Sequence, residues 1–206
     1  MKLCCIFAVV NTHTMGVTYD NENQMFVFDF EHDGKEDIVN LTGDGYQVEA
    51  FGKCFYYGYE FSDQVDSNVR SAFIKYVKFN DALQDSPELT QFIKKAVDNL
   101  DKKINLYDYN LVVMPESSSE VNRYMLRYIY RFAQPKLCHV QGILNPQIDE
   151  KLCASIRQQN VLIIDDVTTS GSTLNEILRT LRILNEDNEI TIFSLIGRRD
   201  LMADAV

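Results

Sequence analysis

The sequence predicts an α/β protein, a parallel sheet flanked by helices and preceded by a β-rich N-terminal lobe, and three observations predict it. From residue 111 onward, short and continuously apolar runs (Leu111 to Met114, Leu137 to Val140, Val161 to Ile164, Ile190 to Ile196) alternate with helix-like stretches (Glu120 to Phe132, Glu150 to Gln158, Thr173 to Leu184). Strands with no polar alternation are buried on both faces, which is what the helical crossovers of a parallel sheet accomplish. The first 61 residues have a different texture, with strand-type runs at 3–10, 16–19 and 25–30 separated by polar turns such as Asp20-Asn21-Glu22-Asn23. Finally, 206 residues at 46% hydrophobic and 24% charged are enough for one folded unit with a real core, which excludes disordered and collagen-like chains.

Taken in order, residues 3–10 are an apolar run of eight with no small-residue cleavage site behind it, and read as a strand rather than an export signal. The aromatic stretch Phe55-Tyr56-Tyr57-Gly58-Tyr59-Glu60-Phe61 reads as a packed strand closing the β-rich segment, 1–61. Residues 62–206 form the α/β part. It opens with two helices whose apolar stripes are Val65, Val69, Ala72, Phe73, Tyr76, Val77 and Leu89, Phe92, Ile93, Ala96, Val97, Leu100. Ser86 is the N-cap of the second, with Pro87 in its first turn and Lys102-Lys103 at the negative end of its dipole.

Twenty Lys+Arg against thirty Asp+Glu leave a formal charge of −10, so the summed field repels nucleic-acid backbones and anionic lipid surfaces. A small anion can still be held by local amides or a metal. No apolar run approaches the ~20 residues that span a bilayer. The five cysteines (Cys4, Cys5, Cys54, Cys138, Cys153) have neither zinc spacing nor a disulfide framework, and read as reduced thiols of a cytoplasmic protein. His13, His32 and His139 show no metal spacing. Arg123, Arg127 and Arg131 lie in a row at helical spacing and read as a solvated face.

Ligands of open α/β sheets sit beyond the carboxyl ends of the strands, here just after Met114, Val140, Ile164 and Ile196. The most informative such place is Val161-Leu162-Ile163-Ile164-Asp165-Asp166-Val167-Thr168-Thr169-Ser170-Gly171-Ser172-Thr173-Leu174. A buried strand runs into two acids, then a small hydroxylic loop, then a helix. Gly171 can supply a positive φ, the helix start offers unpaired N–H groups, and the hydroxyls add donors, which together suit a phosphate. The acid pair suits the vicinal hydroxyls of a ribose, or a magnesium ion through water. Strict alternation sends Asp165 and Asp166 to opposite faces, so both reach one ligand only if the chain turns there. Thr173 and Glu176 also have capping-box spacing, which accounts for some of the hydroxyls but not for the acids.

This stretch resembles the phosphoribosyl pyrophosphate (PRPP) motif of type I phosphoribosyltransferases, with Ser170 where that pattern has a second Thr. The stretch 69–79, the helix 87–100 and the strand 111–114 are similar in order to ComF-like members, so that the resemblance covers residues 65–199. It implies a phosphoribosyltransferase-type sheet in which Asp165 and Asp166 are catalytic and contact the ribose hydroxyls. Thr168, Thr169, Ser170, Gly171, Ser172 and Thr173 would wrap the 5′-phosphate. The loop after the first core strand, Pro115 with Glu116, Ser117, Ser118 and Ser119, would bind pyrophosphate. Ser117 and Glu120 equally have capping-box spacing. Magnesium would arrive with PRPP, with no direct protein ligand beyond water-mediated contact to the acid pair.

Three features depart from the pattern. The first 60 residues lack paired cysteines, Glu116 puts a negative charge in the pyrophosphate loop, and residues 142–149 leave room only for a short lid. Arg198-Arg199 follow the last core strand, where they could meet an anion or end the strand in solvent. Two function classes follow. One is a transferase moving a 5-phosphoribosyl group onto a nitrogenous base, the other a PRPP- or nucleotide-binding regulatory or partner-binding module with little turnover. A homo-oligomer is compatible with either, and the β-rich segment, with Tyr56, Tyr57 and Tyr59, is the expected hood over the base.

Overall fold

The computed structural model describes residues 16–43, 45–50, 53–61, 65–79, 86–115, 119–133, 138–141, 160–184 and 189–197. Among the described residues nine strands form one sheet: β1 Gly16–Asp20, β2 Met25–His32, β3 Lys35–Thr42, β4 Tyr46–Ala50, β5 Lys53–Phe61, β6 Leu111–Met114, β7 Cys138–Gln141, β8 Asn160–Val167 and β9 Glu189–Gly197. The helices are α1 Ser67–Phe79, α2 Pro87–Lys103, α3 Glu120–Ala133 and α4 Ser172–Leu184. The strand expected at 3–10 and the helix expected at 150–158 lie outside the described residues.

The sheet runs β1-β2-β3-β5-β9-β8-β6-β7, and β4 also pairs β5. From β5 through β7 every pairing is parallel, whereas β1 through β4 join by antiparallel ladders. β5 is the hinge between the two textures. One edge takes β9 in parallel over Cys54–Glu60, and the other takes β4 and the last two residues of β3. The described strands on either side of residue 61 therefore share one sheet.

Two apolar layers cover it. On one face Phe26, Phe28 and Phe30 of β2 pack with Phe73 of α1 and Phe92 of α2, in edge-to-face pairs at 4.9–5.1 Å for Phe28–Phe73, Phe26–Phe92 and Phe28–Phe92. Val121, Met125 and Ile129 of α3 extend that layer over Val112, Leu162 and Ile164. On the other face Leu174, Ile177, Leu178 and Leu181 of α4 cover Val161, Ile163, Ile190 and Ile192. Residues 161–164 are fully buried, each side chain contributing roughly 1.5–3 kcal/mol by leaving water. The sheet can therefore bear an electrostatically costly strand end.

α2 begins as the sequence predicts, with Ser86 Oγ accepting the N–H of Leu89 at 3.2 Å and Pro87 in the first turn. Its apolar stripe, Leu89, Phe92, Ile93, Ala96, Val97 and Leu100, is wholly buried. Cys54 is a free, half-buried thiol. Among the described residues no helix is long and apolar enough to cross a membrane.

The tyrosines expected to form a hood are core residues. Tyr59 stacks on Phe92 at 3.9 Å and donates to its carbonyl at 2.7 Å, Tyr57 stacks on Tyr46 at 4.9 Å, and Tyr56, Tyr57 and Tyr59 are 8%, 1% and 1% exposed. They sit in a strand covered on both faces, which leaves them no open side for a base.

Candidate functional site

β7 lies on one side of β6 and β8 on the other, so strand order reverses between β6 and β8. A crevice opens where such a reversal occurs, beyond the carboxyl ends of the two strands. A cleft of about 110 Å³ lies there, lined by Pro115 after β6, Asn122 of α3, Lys78 of α1 and the whole segment from Asp165 to Leu174. The two acids and the six loop residues singled out from the sequence thus meet in one cavity.

The turn that the acid pair requires is present. Val161 and Ile163 pack with α4, while Leu162 and Ile164 pack on the opposite layer. Strict alternation would send Val167 to the α4 side, but it packs with Leu162 and Ile164. Each acid bonds the next backbone amide, Asp165 Oδ1 accepting the N–H of Asp166 at 3.0 Å and Asp166 Oδ1 that of Val167 at 2.6 Å. The break in alternation brings both carboxylates to the same cleft.

Burial sets their electrostatics. Asp165 is 6% and Asp166 2% exposed. Asp166 is well compensated: Ser119 Oγ donates to Oδ2 at 2.5 Å and Lys78 Nζ stands 3.3 Å from Oδ1. Desolvation, then the neighbouring charge of Asp166, push Asp165 up to about 7, against the smaller pull of Lys78, the Asp166 amide and a hydrogen bond from Asn122. The pair therefore holds a proton readily near neutrality.

The loop has the geometry of an anion cradle. Gly171 adopts φ +70°, a left-handed conformation costly for any residue with a Cβ. Its carbonyl accepts the N–H of Asn175 at 2.9 Å, which makes Gly171 the N-cap of α4. Thr173 lies inside the first turn, so the capping box expected from Thr173 and Glu176 does not start this helix. Capping leaves the hydroxyls of Thr169 and Thr173 unexplained, while the first-turn amides have no carbonyl within the helix to receive them. Ser170 Oγ and Ser172 Oγ are 3.2 Å apart.

Two polar atoms beside the cleft are buried without a partner, Asn122 Oδ1 and Thr168 Oγ1. Each such atom costs roughly 1–3 kcal/mol, a cost that a polar occupant would relieve.

The pyrophosphate-loop expectation is only partly visible, because residues 116–118 lie outside the described residues. Ser119 is described, and it caps α3: its Oγ accepts the N–H of Asn122 at 3.3 Å and its carbonyl that of Arg123 at 3.2 Å. The cap expected at Ser117 thus falls two residues later. Arg123 and Arg127 pair with Glu120, and Arg131 lies over the Tyr128 ring at 5.2 Å, so this row is not in the cleft lining. Arg198, Arg199, His13 and the expected lid at 142–149 lie outside the described residues, as do the side chains of His32 and His139. No sequence motif marks Lys78 and Asn122 as site residues, yet both line the cleft. Both reach the cleft through tertiary packing, and the only local sign is that Lys78 is the basic residue in the last turn of α1.

Among the described residues no group of three or more His, Cys, Asp or Glu side chains could hold a metal unaided. The acid pair offers carboxylate oxygens at one cleft, which fits a hard cation completing its shell from ligand oxygens and water.

No protein-family model matches the chain, and no curated protein matches it. Among solved structures, a hypoxanthine-guanine-xanthine phosphoribosyltransferase matches at 15% identity and a TM-score of 0.36, over 52% of this chain and 61% of that one. A phosphoribosyltransferase from Corynebacterium diphtheriae matches at 13% identity and a TM-score of 0.36, over 64% of this chain and 94% of that one.

Proposed function

We infer that this chain binds PRPP and transfers its 5-phosphoribosyl group to a nitrogenous base, releasing pyrophosphate. The observation that supports this most is the convergence of Asp165, Asp166 and the loop of Gly171 on one cleft at the reversal of strand order. In this reading Thr168 to Thr173 and the first-turn amides of α4 hold the 5′-phosphate. The acid pair accepts hydrogen bonds from the ribose hydroxyls.

The bond between C1 of the ribose and the pyrophosphate oxygen breaks, and the pyrophosphate leaves with the electron pair. A ring nitrogen of the base then bonds to C1 and loses its proton to solvent. Positive charge develops on the sugar ring between these events, and in this reading the negative charge that the acid pair carries stabilises it. Because both strands and both helix starts are anchored in the core, little reorganisation is needed at the moment of reaction. Magnesium, held by ligand oxygens and through water by Asp165 and Asp166, would supply charge neutralisation of the departing diphosphate.

A second reading is a binding module that senses PRPP or a nucleotide with little turnover. The observation favouring it is that both oxygens of Asp166 are already engaged, by Ser119, Lys78 and the Val167 amide. Pyrophosphate release measured with PRPP, magnesium and a panel of purine and pyrimidine bases separates the two. Base-dependent release supports the transferase, whereas saturable binding without release from any base overturns it in favour of the module.

A further inference from the structure

Lys78 is the one cation among the described residues that line the cleft. Its side chain is 37% exposed, against 3% for that of Asp166, from which its Nζ stands 3.3 Å. Asp166 has other partners besides this contact. Its Oδ2 accepts from Ser119 at 2.5 Å and its Oδ1 from the Val167 amide at 2.6 Å, so both oxygens keep a partner if the ammonium leaves. An ammonium on a flexible four-carbon stem, with three donors, has the freedom to do so.

The position of Lys78 also says which end of a ligand it serves. α1 and α3 cover one layer of the sheet and α4 the other. Lys78 and Ser119 share the Asp166 carboxylate, so the ammonium enters the cleft from the side where α3 starts. The phosphate cradle at the start of α4 is built from the opposite layer. A ligand gripped by that cradle, with its diol against the acids, extends its remaining substituent toward α3 and Lys78. The acid pair makes that end of the cleft repel anions unless a cation is supplied there.

We propose that Lys78 receives the second anionic group of a doubly phosphorylated sugar, exchanging Asp166 for the diphosphate end of PRPP. This rests on the reading of the cleft as a ribose-phosphate site. The exchange makes and breaks no covalent bond. Its consequence is selectivity, since Lys78 would favour PRPP over ribose 5-phosphate, which has an anionic group at one end only.

The test is calorimetric titration of the full chain with PRPP and with ribose 5-phosphate, both with magnesium, for wild type, Lys78→Met and Lys78→Arg. Thermal unfolding of each variant checks the fold. Lys78→Met is expected to weaken PRPP about tenfold or more and to leave ribose 5-phosphate within about twofold, while Lys78→Arg keeps most of the PRPP affinity. Equal weakening of both ligands, or of neither, overturns the assignment of Lys78 and leaves the ribose-phosphate reading standing. If wild type binds neither ligand, that reading falls and the role of Lys78 with it.

Discussion

Ser119 Oγ donates to Asp166 Oδ2 across 2.5 Å, so the residue that caps α3 also ties the carboxyl end of β8 to the start of that helix. One hydroxyl serves two functions. It satisfies an amide that the helix cannot, and it holds a buried carboxylate in place.

Ser119→Ala is expected to lose both. Removal of a serine cap costs ~1 kcal/mol and loss of a bond to a charged group ~1.5–3 kcal/mol, so unfolding in urea should show a loss of about 2.5–4 kcal/mol. Affinity for a ribose phosphate should fall with it, because Asp166 Oδ2 loses its tether to the start of α3. A variant with unchanged stability would show that the contact does not matter.

The raised pKa of Asp165 makes stability depend on pH in a defined direction. In the native chain its carboxyl stays protonated to about 7, whereas in the unfolded chain it ionises near the ordinary value of 3.8. The native state therefore holds more protons between roughly pH 4 and 7, and stability falls as pH rises through that window. Asp165→Asn, neutral throughout, should equal wild type near pH 4 and exceed it at pH 8 by on the order of 2–4 kcal/mol. Thermal melts across that range check the prediction, and parallel curves for the two proteins would refute it.

Gly171→Ala places a Cβ on a residue at φ +70°. The expected cost is ~1–2 kcal/mol in stability, together with a distorted loop that binds inorganic phosphate and sugar phosphates more weakly. Circular dichroism and titration with ribose 5-phosphate check both effects. Full retention of affinity would remove the loop from the site.

Gly58 has a purely structural role that a separate substitution isolates. A Cβ there would lie 2.7 Å from Ala96 Cβ and 3.0 Å from the Leu195 carbonyl, so α2 packs directly on the backbone of β5. Gly58→Ala is expected to destabilise by ~1–3 kcal/mol, read from the urea midpoint, with ligand affinity retained in the folded fraction.

The parts of this fold that were legible are those whose signal is local. The apolar runs of β6, β8 and β9, the stripe of α2 and its Ser86 cap all follow from burial and hydrogen-bonding rules acting within a few residues. β3 gives no strand signal in the sequence, because Lys35, Glu36, Ile38, Asn40 and Thr42 are exposed and only Val39 and Leu41 are buried, which leaves no apolar run. Both capping boxes pointed to the wrong residue. Ser119 starts α3 two residues after Ser117, where its hydroxyl also meets Asp166, and Gly171 starts α4 because its positive φ closes the loop. Tyr56, Tyr57 and Tyr59 looked like a hood only while the partners of β5 were unknown. Lys78 and Asn122 come to the acid pair across the fold, and no spacing in the sequence records that meeting.

The central claim is that Asp165, Asp166 and the Gly171 loop form a ribose-phosphate site, and calorimetric titration of PRPP with magnesium into wild type and Asp166→Asn tests it most directly. Saturable, magnesium-dependent binding that weakens at least tenfold in a folded Asp166→Asn variant is the predicted result. Absence of binding to wild type at millimolar PRPP, or equal affinity in the variant, would contradict it.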